Sequence, residues 1–209
     1  ITDVLGHRSN NPQLIADQLA DNGYFVLMPD LFYGDPIPMN HAPDFDIGNW
    51  IQGAFNEKKI SHLPPVIDPI IERCLSEMRT KYQCKKIGGI GYCFGGQYVV
   101  RYLKGKPGEL DIGYTAHPSN VQVDELRQVK GPLAISAAEN DYIFPTEKRH
   151  ETEQILREIK VPYQINLYSG VQHGFAARCD LSDPRQKYAK EDALLQALRW
   201  FEGHGLKST

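Results

Sequence analysis

The amino-acid sequence predicts an α/β protein with a mostly parallel central sheet flanked by helices. Three observations lead there. Short apolar runs alternate with segments whose apolar residues recur every three or four positions, the pattern of strands buried on both faces and of the helices that cross between them. One such run, Ile87-Gly88-Gly89-Ile90-Gly91, passes straight into a helical segment through Tyr92-Cys93-Phe94-Gly95-Gly96, the mark of a tight strand-to-helix turn. Reactive side chains fall just beyond strand ends, where open parallel sheets place their ligands.

The elements follow in order. Ile1-Thr2-Asp3-Val4 reads as the end of a strand already under way, so one or two N-terminal strands are expected to be missing from the sheet. Asn11-Pro12 opens a helix carrying Leu14, Ile15 and Leu19 and closing near Asn22-Gly23. Tyr24-Phe25-Val26-Leu27-Met28 has the composition of a buried strand ending at Pro29-Asp30. Residues 33–65, with Pro36, Pro38, Pro43, Pro64 and Pro65, read as a lid-like insertion holding one short helix. Its His41, Phe45, Trp50 and Phe55 are expected to pack on the body more than to cover a substrate.

Beyond Pro65, Ile67, Ile70, Ile71, Cys74, Leu75 and Met78 form one stripe of a core-facing helix, with Asp68, Glu72, Glu77 and Arg79 on its solvated side. Strands are predicted at Ile87–Gly91, Ile112–Ala116, Leu133–Ala137 and Tyr163–Tyr168. Helices are predicted at 97–104, at 146–159 and from Asp183-Pro184 onward, the last with Leu194, Ala197, Leu198 and Phe201 on one face. Gly203 to Thr209 reads as a frayed end. The whole of 1–209 is expected to form a single domain.

Composition narrows the function. The formal net charge is −3, with both signs spread along the chain, which argues against nucleic-acid or membrane partners. No apolar run approaches the roughly 18 residues of a membrane span. Cys74, Cys84, Cys93 and Cys179 follow no disulfide or zinc spacing, so a soluble protein of a reducing, cytoplasmic compartment is expected, with no metal and no cofactor. The expected partner is a small molecule, bound by a monomer or homodimer.

The chemistry centres on Gly91-Tyr92-Cys93-Phe94-Gly95, a glycine-bracketed nucleophile at a sharp turn. The helix N-terminus beyond it favours thiolate and offers the Phe94 N–H as an oxyanion donor. Asp141, after the strand starting at Leu133, and His173, after the strand ending at Tyr168, complete the order nucleophile, acid, histidine. His117, also past a strand end, is either a pocket residue or a turn residue.

Gly-Tyr-Cys-Phe-Gly-Gly, the downstream Glu139-Asn140-Asp141 and His173-Gly174-Phe175 resemble the dienelactone hydrolase family of α/β-hydrolases, in particular its eukaryotic and fungal branch. Thr2 to His7, Met28 to Asp35 and Ala116-His117-Pro118-Ser119 extend the resemblance over nearly the whole chain. It implies Cys93 as nucleophile, His173 as general base and then acid, Asp141 as the residue orienting the imidazole, and the N–H groups of Phe94 and Val4 as oxyanion donors. Tyr92, His117, Phe175, Arg178 and Asp3 are the candidate pocket and auxiliary residues. Bacterial members carry a glutamate before the second donor that pairs with the resting thiol; the shorter Asp3 stands there and argues against that contact. Ala177 lies four residues beyond His173, with Arg178 next to it, so no clear match to the family's substrate-binding arginines is found. The reading is a hydrolase of a lactone or carboxylic ester. The alternatives are a non-catalytic or redox-sensing protein using Cys93, and a thioesterase or tailoring enzyme of secondary metabolism.

Overall fold

Four parallel strands pair in sequential order in the computed structural model, which describes residues 1–206: β1 (Gly88–Tyr92), β2 (Ile112–Ala116), β3 (Leu133–Asn140) and β4 (Tyr163–Gln172). The helices are α1 (Asn10–Asp21), α2 (Ile47–Ile51), α3 (Pro64–Thr80), α4 (Phe94–Arg101), α5 (Val123–Leu126), α6 (Thr146–Ile159) and α7 (Pro184–Gly203).

Strand alternation builds two cores from one sheet. Leu133, Ile135 and Ala137 of β3 join Ile67 and Ile71 of α3 and Val99 of α4 in one cluster. Ala134 and Ala138 of the same strand join Tyr114 of β2, Ile15 of α1 and Ala193 and Phe201 of α7 in the other. All five residues of β2 are buried, in keeping with a run that carries no charged side chain. Asp183 caps α7 by accepting from the Arg185 N–H at 2.8 Å, with Pro184 in the first turn, as its sequence indicates.

The sheet departs from the sequence reading at its β1 edge. Tyr24–Met28 is not a strand: no ladder forms there, and Phe25 is 52% exposed, its ring 4.7 Å from that of Tyr82. Apolar composition alone does not make a strand, which needs a hydrogen-bonding neighbour. Ile1 does run along β1: its N–H donates to the Ile90 carbonyl at 2.7 Å and its carbonyl accepts from Tyr92 N–H at 3.2 Å.

Smaller corrections have plain causes. α4 begins at Phe94 and not at Gln97, because the turn leads into the helix without a linker. Arg79 does not belong to a solvated face: its guanidinium donates to the carbonyls of Cys84, Lys85 and Glu109 and to Asp111, fastening α3 to the approach of β1. Asp68 likewise accepts from Arg101 at 2.8 Å. Of the predicted frayed end, Leu206 donates its N–H to Phe201 at 2.9 Å and packs against Gly88, while 207–209 lie outside the described residues.

Residues 33–65 are fastened down by aromatic packing, as expected for Trp50. That side chain is 1% exposed, stacks on His62 at 4.1 Å and meets Phe32 edge-on at 5.1 Å, and its indole N–H donates to the Asp35 carbonyl at 2.9 Å. His62 in turn lies 3.4 Å from Asp35 through Nε2 and contacts the Trp50 carbonyl through Nδ1 at 2.8 Å. Phe55 is exposed, with its ring against Phe45 and that of Phe45 against His41. Replacing Trp50 with alanine removes the centre of this packing, and a loss of about 3–5 kcal/mol is expected in urea unfolding, with new proteolytic cutting within 33–65.

Candidate active site

The turn between β1 and α4 holds Cys93 at φ 49° and ψ −111°, a left-handed conformation that side chains avoid. Such strain, of order 1–3 kcal/mol, persists only where surrounding structure enforces it. Here the Cys93 N–H donates to the Ala116 carbonyl at 3.1 Å, and the Cys93 carbonyl accepts from Gly96 at 2.9 Å and Ser119 at 3.0 Å. The flanking glycines are needed for close approach. A Cβ at Gly91 would lie 2.6 Å from the Gly95 carbonyl oxygen, and one at Gly95 would strike the Ile1 carbonyl.

Asp141 follows β3. Its Oδ1 accepts from the N–H groups of Ile143 at 2.8 Å and Phe144 at 2.9 Å, leaving Oδ2 for His173 Nδ1 at 2.8 Å. Burial opposes ionisation of this carboxyl, but the His173 bond and the two backbone donors outweigh it and hold the group below its ordinary range. His173 follows β4, with its side chain 9% exposed. Burial is the largest single influence on the ring and disfavours its charge; hydrogen bonding with Asp141 and interaction with Cys93 overcome it and raise the pKa to about 9. Its Nε2 is buried without a hydrogen-bond partner.

His117 lies on the turn after β2 at φ 38°, fully buried, its ring centroid 5.0 Å from that of His173. Burial and the His173 charge push its pKa well below the ordinary value, so it is neutral. It is thus a turn residue whose buried ring packs against that of His173. Phe175 and Tyr92 are buried at 5.6 Å and 6.1 Å from the His117 ring. They support the site from within the core.

The N-terminal segment approaches from the other side. The N–H groups of Val4 and Phe94 donate to no group among the described residues. Asp3 makes no hydrogen bond to Cys93: its Oδ1 accepts from Leu5 N–H at 3.0 Å, and Oδ2 faces Arg178 Nε at 3.6 Å. Burial raises the Asp3 pKa, with Arg178 acting against it. The hydrogen-bonding neighbour of the Cys93 sulfur is Ser119, whose hydroxyl lies 3.5 Å from Sγ. Sequence reasoning gave Ser119 no role; its place three residues beyond the end of β2 was the available signal. Among the described residues no cluster of three or more His, Cys, Asp or Glu side chains forms a metal site, and no helix is long and apolar enough to cross a membrane.

The sequence profile of the dienelactone hydrolase family matches residues 1–205. The chain belongs to the dienelactone hydrolase family. Hydrolase tropI of Talaromyces stipitatus is 59% identical over 201 residues, spanning 96% of this chain and 78% of the relative. Hydrolase pyvD of Aspergillus violaceofuscus is 52% identical over the same coverage, and the carboxymethylenebutenolidase homolog of Homo sapiens is 30% identical over 96% of this chain and 79% of that protein. A putative dienelactone hydrolase from Klebsiella pneumoniae superposes with a TM-score of 0.73 at 18% identity, covering 96% of this chain and 84% of that one, which places the fold among the α/β-hydrolases. As a dienelactone hydrolase family member the chain is a hydrolase acting on ester or lactone bonds.

The Asp141–His173 pair has a pH signature. His173 binds its proton more tightly folded, at about 9, than at the ordinary 6.5, so its contribution to stability is complete below about pH 6.5, declines between 6.5 and 9, and is absent above. The depressed Asp141 carboxyl acts oppositely and loses its contribution only as pH falls through the acid range. Urea unfolding at pH 6.5, 7.5 and 9 is expected to show falling stability in the natural protein and a much shallower slope in Asp141→Asn. An equal slope in the variant would disconnect the pair from folding.

Proposed function

We propose that this dienelactone hydrolase family member cleaves a lactone or carboxylic ester through Cys93, His173 and Asp141, by way of a thioester acyl-enzyme. The observation that carries the proposal is the His173 ring, fixed to Asp141 at 2.8 Å through Nδ1, with its second nitrogen unpartnered and its charge supported by Cys93.

Before attack the thiol proton resides on Nε2 of His173, whose charge Cys93 supports, and in the first half-reaction the Cys93 thiolate bonds to the carbonyl carbon. The electron pair displaced onto oxygen is received by the N–H groups of Phe94 and Val4. Such donors cost nothing to reorganise, and each is typically worth about 10² to 10³ in rate. Collapse breaks the carbon–oxygen ester bond, and the departing alkoxide collects the proton from His173. Water then attacks the thioester with His173 as base, and the thiolate leaves. Asp141 holds the ring in the tautomer with its proton on Nδ1 and stabilises the imidazolium.

One feature bears on the substrate. The Arg178 guanidinium is directed to Asp3, which supports a neutral ester over an anionic one. A cavity of about 190 Å³ between the stretch after β2 and α6 is lined by polar as well as apolar side chains, among them Lys148, Glu151, Val121 and Ile155, and by none of Cys93, Asp141 and His173, so it does not define the acyl group.

Intact-protein mass spectrometry after p-nitrophenyl acetate or a simple lactone is expected to show a transient acyl adduct that maps to Cys93. Cys93→Ala should lose turnover by at least about 10³-fold while keeping its unfolding midpoint. Unchanged esterase activity in that variant would overturn the assignment.

A further inference from the structure

We infer that Ser119 is a further catalytic residue, its hydroxyl donating a hydrogen bond to the Cys93 sulfur whenever that sulfur carries negative charge. The inference deepens the proposed function and rests on Cys93 being the nucleophile.

The geometry is built around the sulfur. Ser119 Oγ lies 3.5 Å from Cys93 Sγ, and both residues are buried. The Ser119 N–H is fixed on the Cys93 carbonyl at 3.0 Å, and the Cys93 N–H on the Ala116 carbonyl at 3.1 Å, so residues 116–119 grip the nucleophile by its main chain on both sides. Pro118 stiffens the stretch and packs close to Gly96, where a Cβ would meet Pro118 Cβ at 2.8 Å. The hydroxyl is therefore held beside the sulfur before substrate arrives.

Donor logic fixes its direction. A thiol can donate or accept, but once His173 has taken its proton the sulfur only accepts, so the hydroxyl must donate. Hydrogen bonds to charged partners are the strong ones, and a buried site strengthens them further. The bond favours the charged sulfur, both before attack and when the thiolate is expelled during deacylation. The neutral thioester between these steps is a poorer acceptor. Ser119 thus does with a neutral hydroxyl what Asp3, facing Arg178 and the Leu5 N–H, is not placed to do.

Besides the Ser119 hydroxyl, the group that faces the sulfur is the titratable His173, with Asp141 behind it and, around that ring, the neutral His117, Tyr142 and the Asp3–Arg178 pair. None is changed by substituting Ser119. The test is the pH–rate profile of iodoacetamide alkylation, with the modified residue identified by peptide mass mapping. Ser119→Ala is expected to move the profile upward by about one pH unit, and Ser119→Thr, which keeps the hydroxyl, to restore it. A merely structural role would alter rates at every pH without moving the midpoint. A profile unmoved in Ser119→Ala, or moved equally in Ser119→Thr, overturns the inference. Alkylation mapping elsewhere than Cys93, or undiminished in His173→Gln, would overturn the nucleophile reading instead.

Discussion

The left-handed turn at Cys93 is the constraint on which the rest of the site depends. A residue with a side chain adopts φ near 49° only under compulsion, and the compulsion comes from three directions. β2 supplies the Ala116 carbonyl, the stretch after it supplies the Ser119 N–H, and the N-terminal segment lies so close over Gly95 that a single methyl group would collide with it. Strand pairing, helix packing and chain entry therefore converge on one residue. The geometry that aims the sulfur out of the turn also sets Phe94 at the first position of α4, where its N–H has no helical partner.

The sheet accounts for how residues far apart in sequence meet there. Each of β1, β2, β3 and β4 is parallel, so their C-terminal ends lie along one edge, and Cys93, His117, Asp141 and His173 follow those ends closely. Two apolar clusters, one per face, make the sheet a rigid platform, and polar groups at its rim are held by few but directed bonds. Asp141 illustrates this: two backbone donors take one oxygen, and the remaining oxygen has no choice but the imidazole.

Much of this was legible in the sequence, for identifiable reasons. β2 matched its expected bounds because a short strand buried on both faces carries no charged residue, and α7 began at its cap because aspartate followed by proline has a mechanical meaning there. Cys93, Asp141 and His173 were singled out by residue type and order at strand ends, and the structure sets the last two 2.8 Å apart. What escaped depends on partners that composition does not reveal. Tyr24–Met28 has a strand's residues and no ladder. Arg79 looks like any exposed cation, although its guanidinium binds three carbonyls and a carboxylate. Ser119 is an ordinary serine until the fold brings its hydroxyl against a sulfur 26 residues away.

The aromatic pinning of residues 33–65 bears on how such a protein can diversify. Phe32 touches both Trp50 and Phe94, so the buried half of residues 33–65 is mechanically continuous with the residue next to Cys93. Its outer half, with Met39, Ile47 and Phe55 in solvent, reaches the core more thinly, through the Phe55 ring on Phe45. Substitutions at the rim are free to reshape what the surface presents to incoming molecules, whereas substitutions at Trp50 or His62 propagate inward. The fold thereby separates a region open to evolutionary tinkering from one that is closed to it, within a single stretch of chain.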